Sequence, residues 1–237
     1  MKNSKLVKIK VVSFDAFDTL FNAKNFHVEA SKIILQKLNA TWIDVNEFHE
    51  KWDLLIMNQW EQLSGDECNF KTQDIFFLEV IDRLFCEYNL SGDSKEALKI
   101  WFDLLEGIEL FEEVPTVLKS IKEKGYSIII LSNIDNEFLY KKLADFNIET
   151  YFDQIFTSEN LKSYKPNPHI FNKVLETMQI NPDQIIHVGD SQHADIYGAK
   201  NFGIMAVYIN RKNRALKKSI PTPDFMIKNL NELLTIL

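Results

Sequence analysis

The chain has 237 residues, enough for one large domain or for a core with a smaller domain beside it. Apolar residues make up 46% and charged residues 26%, the composition of an ordinary globular protein. A formal net charge of −7 gives no electrostatic reason to expect nucleic acid as a partner, and no apolar run is long enough to span a bilayer.

Lys2, Lys5, Lys8 and Lys10 open the chain, but the apolar run behind them, VVSF, is far too short for a secretory h-region and meets an aspartate at once. A cytoplasmic protein is expected. On that expectation Cys68 and Cys86 are buried thiols rather than a disulfide, and neither has a histidine at zinc-ligand spacing.

Residues 6–14, rich in Val and Ile, predict a buried strand. From about residue 25 to 106 the pattern turns helical. Phe26, Ala30, Ile33, Ile34 and Leu38 form one stripe, and Val45, Phe48, Trp52, Leu55 and Ile56 a second. Phe77, Ile81, Leu84, Phe85 and Tyr88 form a third, and Ala97, Trp101, Leu104 and Leu105 a fourth. No strand signal intervenes, so a four-helix bundle is expected as an insert, with linkers at 20–24 and 107–112. All four tryptophans lie there and are read as packing the bundle's own core.

After the insert, helical stripes alternate with four further apolar runs: SIIIL (127–131), FDQIF (152–156), IIHV (185–188) and IMAVYI (204–209). Val114, Val117, Leu118 and Ile121 mark one helix that stops at Gly125, a C-cap signal. Strands alternating with helices predict an α/β fold, a doubly wound, Rossmann-like parallel sheet. The expected division is a core of residues 1–20 and 108–237 and a helical insert of residues 21–107.

Polar clusters follow four of the predicted strands: Asp15, Asp18 and Thr19; Ser132 and Asn133; Lys165; and, behind Gly189, Asp190, Ser191 and Asp195. In a parallel sheet these ends share one side of the molecule, where ligand crevices form. The chemistry of the set is coherent. A carboxylate in a tight turn can attack phosphorus or carbon and form a covalent intermediate. Asp15 and Asp190 offer Mg²⁺ the one or two carboxylates it usually takes. Thr19, Ser132 and the Lys165 ammonium would hold the transferring oxygens.

Taken together the motifs resemble those of the haloacid dehalogenase-like hydrolases. VVSFDAFDTL is similar to the strand ending in the family's nucleophilic aspartate, and LSN at 131–133 to its second motif. YKPNPHIF around Lys165 is similar to the third, HVGDSQHADIYGAKNFG to the fourth, and the insert resembles the family's C1-type helical cap. The resemblance implies a magnesium-dependent phosphatase of a small phosphorylated metabolite, working through an aspartyl-phosphate on Asp15. Ser132 and Lys165 would be catalytic, and Thr19, Ser132, Asn133 and Lys165 would contact substrate. The metal would be held by Asp15, the Phe17 backbone carbonyl and Asp190. Asp195 is left open between ligating metal and orienting Lys165.

One position departs from the pattern. Family phosphatases carry an acid/base aspartate two residues after the nucleophile; here that residue is Phe17, and Asp18 follows it in a position read as structural. An aromatic there is shared with 2-haloacid dehalogenases. Asp190 speaks against that activity, and so does the lack of an arginine near the start of the insert, where only Arg83, Arg211 and Arg214 occur in the whole chain. Dehalogenase, and a regulatory protein that binds metal and phosphate with little turnover, stay as alternatives. His187 is read as a satisfied core side chain; His193 flanks the fourth motif, and a place in the site is the lesser of its two readings.

Overall fold

The computed structural model describes residues 8–23, 26–63 and 70–237. Lys2, Lys5 and Cys68 lie outside these described residues. Two compact units result: one runs to Asn22 and resumes over Leu110–Leu237, the other is Ala23–Glu109.

The strands are β1 (Val11–Phe14), β2 (Phe21–Asn22), β3 (Glu109–Leu110), β4 (Ser127–Ser132), β5 (Gln154–Thr157), β6 (Ile185–Gly189), β7 (Met205–Ile209) and β8 (Phe225–Ile227). Six form one sheet in the order β5-β4-β1-β6-β7-β8, with every pairing parallel; β2 and β3 form a separate pair. The α/β, doubly wound expectation therefore holds. The chain winds outward from β1 through β4 to β5, then returns to β6 on the other side of β1. The strand order thus reverses at the β1/β6 boundary, and crevices for ligands form at such points.

The register sets Val11 opposite both Ser127 and Ile185. Side chains alternate across the pleat. Val11, Ile129, Leu131 and Ile185 accordingly pack on one face with Ile170, Phe171 and Val174 of the helix Pro168–Met178. Helix Val114–Glu123 contributes the four residues of its apolar stripe, Val114, Val117, Leu118 and Ile121, all fully buried. Each is worth about 1.5–3 kcal/mol in apolar area removed from water. Its chain leaves through Gly125 at φ 84°, a left-handed turn that suits glycine.

Two strand expectations are corrected. The first strand begins only at Val11, and Lys10 instead ties its backbone to Gln184 and Ser127. The sheet also gains β8, three residues after a Pro-rich loop that carry no alternation long enough to read.

The second unit holds helices Phe26–Lys37, Val45–Leu63, Gln73–Glu87 and Ser94–Glu106. Trp52 and Trp101 are buried in its core, where Trp101 meets Phe77 at 4.5 Å and His27 at 5.5 Å between ring centres. The tryptophan expectation fails at Trp42, which is 72% exposed in the turn before the second helix. The thiol expectation fails at Cys86, which is free but exposed on the outer side of its helix. No helix among the described residues is long and apolar enough to cross a membrane.

Candidate active site

Asp15 stands one residue beyond β1, held by its N–H on the Val188 carbonyl of β6 at 2.9 Å. The chain then turns tightly. Leu20 and Phe21 both donate to the Ala16 carbonyl, and Asp18 donates to Phe21. Asp18 itself sits at φ 51°, a left-handed conformation that Asp tolerates better than most residues. Its carboxylate faces Lys212 at 2.5 Å, while Arg211 bonds the carbonyls of Asp18 and Thr19. Thr19 is fully buried, with a hydroxyl that finds no hydrogen-bond partner among the described residues.

Lys165 gathers the site. Its ammonium, 1% exposed, donates to Asp15 Oδ1 at 2.7 Å, Asp195 Oδ1 at 2.6 Å and the Leu131 carbonyl at 2.7 Å. Three donors meet three acceptors, so the buried charge is fully satisfied. Asn133 clamps this lysine from behind: it donates to the Lys165 carbonyl at 3.0 Å and accepts from the Lys165 N–H at 2.7 Å. Both ends of the Asn133 side-chain amide thus engage the Lys165 backbone. Ser132, the last residue of β4, is 1% exposed. Lys162, three residues before Lys165, lies exposed after a short helical turn.

Asp195 is tied on both oxygens. Oδ1 accepts from Lys165 and His187 Nε2 (3.1 Å), and Oδ2 accepts from the Ser191 N–H at 2.8 Å. Because a carboxylate only accepts, His187 carries its proton on Nε2, and its Nδ1 faces Ser13 Oγ at 2.9 Å. His187 is thus the satisfied core side chain that was expected, but the group that satisfies it belongs to the site. Alternation along β6 could place it indoors; only the fold reveals its partner. The turn Gln192–Tyr197, wound as a π-type turn, brings Asp195 under Gly189. A Cβ on Gly189 would lie 2.2 Å from Asp195 Cγ, so only glycine fits there. His193 stacks on Tyr197 within that turn at 5.4 Å.

Asp190 completes the group. Single oxygens of Asp15, Asp190 and Asp195 all lie within 4.8 Å of one another. Burial, and then the charges of Asp15, Asp195 and Asp18, push the Asp190 carboxyl well above the usual range; Arg214, 3.9 Å away, opposes this only in part. Burial likewise raises Asp15 in spite of Lys165. Asp195 goes the other way: burial would raise it, but Lys165 and His187 outweigh burial and hold it ionised. Phe17, half-buried, stacks on Phe138 with ring centres 5.8 Å apart, so no acid occupies the second position after Asp15.

The family model of haloacid dehalogenase-like hydrolases matches residues 12–209. The chain belongs to this family of hydrolases. Among its relatives, (S)-2-haloacid dehalogenase 1 of Pseudomonas sp. (strain CBS-3) is 25% identical over 95% of each chain. A glyceraldehyde 3-phosphate phosphatase of Methanothermobacter thermautotrophicus is 28% identical over 85% of this chain and 86% of its own. Among solved structures, the HAD-hydrolase YfnB of Bacillus subtilis, bound to magnesium, superposes with a TM-score of 0.76 at 23% identity, covering 97% of this chain and 99% of its own. Relatives of both activities share this fold, so the fold alone does not choose between phosphate-ester and haloacid chemistry.

Proposed function

We propose that this hydrolase is a magnesium-dependent phosphatase of small phosphorylated metabolites, with Asp15 as nucleophile. The observation that carries this reading is the gathering of Asp15, Asp190 and Asp195 within 4.8 Å, with one buried ammonium bonded to the first and the last of them. Negative charge outruns positive there, and Asp190 takes most of the strain. A cation fits such a place, and an all-oxygen donor set suits Mg²⁺ better than softer metals. Asp15, Asp190 and the Phe17 carbonyl would hold it, while Asp195, bonded on both oxygens, supports the group from outside. Magnesium bound there would screen the repulsion between a phosphate dianion and Asp15.

The remaining work falls to the chain. Asp15 attacks phosphorus, the P–O bond to the alcohol breaks, and an aspartyl-phosphate forms. Lys165 and the Ser132 hydroxyl balance charge on the transferring oxygens, and Asn133 keeps Lys165 in place. Water then cleaves the acyl phosphate, releasing phosphate and restoring Asp15. Phe17 offers no proton to the departing alkoxide, so substrates with acidic leaving groups are favoured.

A second reading, 2-haloacid dehalogenase, draws support from the aromatic at position 17 and from the activity named for the Pseudomonas relative. In that reaction Asp15 would displace halide from carbon. Asp190 weighs against it, since a carboxylate so close to Asp15 repels the carboxylate of a haloacid.

Phosphate release from 4-nitrophenyl phosphate with and without Mg²⁺, beside chloride release from 2-chloropropanoate, separates these readings. Magnesium-dependent phosphate release is expected. Chloride release without metal would overturn the proposal, and magnesium binding with neither release would point to a binding protein. Asp15→Asn should lower turnover by about 10³-fold or more with the fold intact. A variant keeping more than about a tenth of the activity would remove Asp15 from the nucleophile's role.

A further inference from the structure

The most basic stretch of the chain follows β7. Arg211, Lys212, Arg214, Lys217 and Lys218 crowd into it, in a protein whose net charge is −7. This loop is built, not slack. Asn210, 7% exposed, donates from Nδ2 to the Arg214 carbonyl at 2.9 Å and accepts from the Arg214 N–H at 2.7 Å. Gln192, 8% exposed, donates to the Ala215 carbonyl at 2.9 Å and accepts from the Lys217 N–H at 2.8 Å. Asn213, at φ 51°, closes the turn between them. One of the two buried amides directly follows β7; the other sits two residues after Asp190. The loop is therefore registered directly on the carboxylate site.

The cations of this loop are not equivalent. Arg211 is spent on Glu113 at 2.7 Å and on two carbonyls, and it lies over the Phe111 ring. Lys212 pairs with Asp18. Arg214, whose side chain is 53% exposed, meets only Asp190 among the described residues, at 3.9 Å, the outer limit of an ion pair. Together with Asp18, Asp190 and Tyr208 these three cations line a shallow pocket open to solvent.

We propose that Arg214, with Lys212 beside it, forms a second anion subsite, so that preferred substrates are phosphate monoesters carrying a further phosphate or carboxylate a short carbon chain away. This rests on the phosphatase reading of the Asp15 site. The reach follows from the geometry: Arg214 stands one ion-pair length from Asp190, whose carboxylate lies within 4.8 Å of Asp15. Neutralising Asp190 with a cation would leave Arg214 without its weak partner and its planar fork open to an oxyanion. Guanidinium binds phosphate and carboxylate alike through paired N–H donors.

Three esters test it in the presence of Mg²⁺: propyl phosphate, the phosphate ester of 3-hydroxypropanoate, and propane-1,3-diyl bisphosphate. The wild type should favour one or both doubly anionic esters by about tenfold or more in kcat/KM, as expected of a charged hydrogen bond. The better of the two identifies the second group as carboxylate or phosphate. In Arg214→Gln that ratio should fall by about tenfold, while Lys173→Gln, which removes the same charge from an exposed site on the helix Pro168–Met178, should leave it unchanged. A wild-type ratio near one, or an unchanged ratio in Arg214→Gln, overturns the subsite. If none of the three esters is hydrolysed, the phosphatase reading fails only where 4-nitrophenyl phosphate, with its better leaving group, is not hydrolysed either. Calorimetric binding of the bisphosphate to wild type and Arg214→Gln then decides the subsite alone: tighter binding by the wild type sustains it, and equal binding overturns it.

Discussion

Replacing Lys165 with methionine keeps most of the side chain's volume and removes the ammonium that three buried acceptors share. After the change Asp195 retains His187 and the Ser191 N–H, but Asp15 loses the cation bonded to it. Breaking a buried ionic cluster by deleting one partner costs about 3–5 kcal/mol. Asp15 can lessen the cost by taking up a proton, so the lower end, about 3 kcal/mol at pH 8, is the expected loss. In a protein of this size that is a fall in Tm of roughly 6–12 °C. The dependence on pH carries a sign. Burial would lower the Lys165 pKa, but Asp15 and Asp195 raise it above 10.5, so its contribution is complete below 10.5 and is lost as pH climbs through the raised value. Asp195 is held below 3.8, so its contribution is complete above 3.8 and is lost as pH falls through the lowered value. Without the ammonium both aspartates titrate higher, and the variant regains stability as they protonate. The deficit should therefore shrink from pH 8 to pH 5. Urea unfolding of both proteins at pH 5, 6.5 and 8 measures it. A deficit below about 1 kcal/mol at pH 8, or one that grows toward pH 5, would refute the claim that Lys165 holds Asp195 ionised and offsets part of the burial of Asp15.

Other consequences are equally direct. Phe17→Asp should raise turnover of an alkyl phosphate by roughly tenfold while changing an aryl phosphate little, because only the poor leaving group needs a proton. Loss of the Phe138 stacking should cost that variant about 0.5–1.5 kcal/mol, and a fall in rate for both esters would show the ring itself to be part of the working site. Asp190→Ala should weaken Mg²⁺ binding. In the wild type, metal must displace the proton held by the raised Asp190, so affinity should climb about tenfold per pH unit below that pKa, and the variant should lose this slope. Thermal shifts with Mg²⁺ between pH 5 and 8 would show both effects, and an unchanged affinity would make Asp190 structural. Gly189→Ala drives a Cβ into Asp195 and should disorder the Lys165 cluster, with activity lost along with about 3 kcal/mol of stability; a variant as stable and active as wild type would contradict the close approach.

The sequence by itself determined the sheet's strands and helices, the insert of four helices, and the four polar clusters at strand ends. These are local properties. A strand's apolar run, a helix's 3.6-residue stripe and the turn after a strand are written in neighbouring residues. Where the local signal is thin it gave less, as with the three residues of β8 and the polar first half of the run before Val11. What the tertiary structure alone decided is which members of those clusters meet. The strand order sets β1 beside β6 and so Asp15 beside Asp190. Lys165 bonds an aspartate 150 residues earlier, and Asn133, legible only as a polar residue near a site, proves to be that lysine's clamp. The same holds for His187 on Asp195, for the loop that Asn210 and Gln192 pin beside Asp190, and for the exposure of Trp42. Burial and the pairing of polar groups depend on segments distant in sequence arriving at one place, and only the packed sheet brings them there.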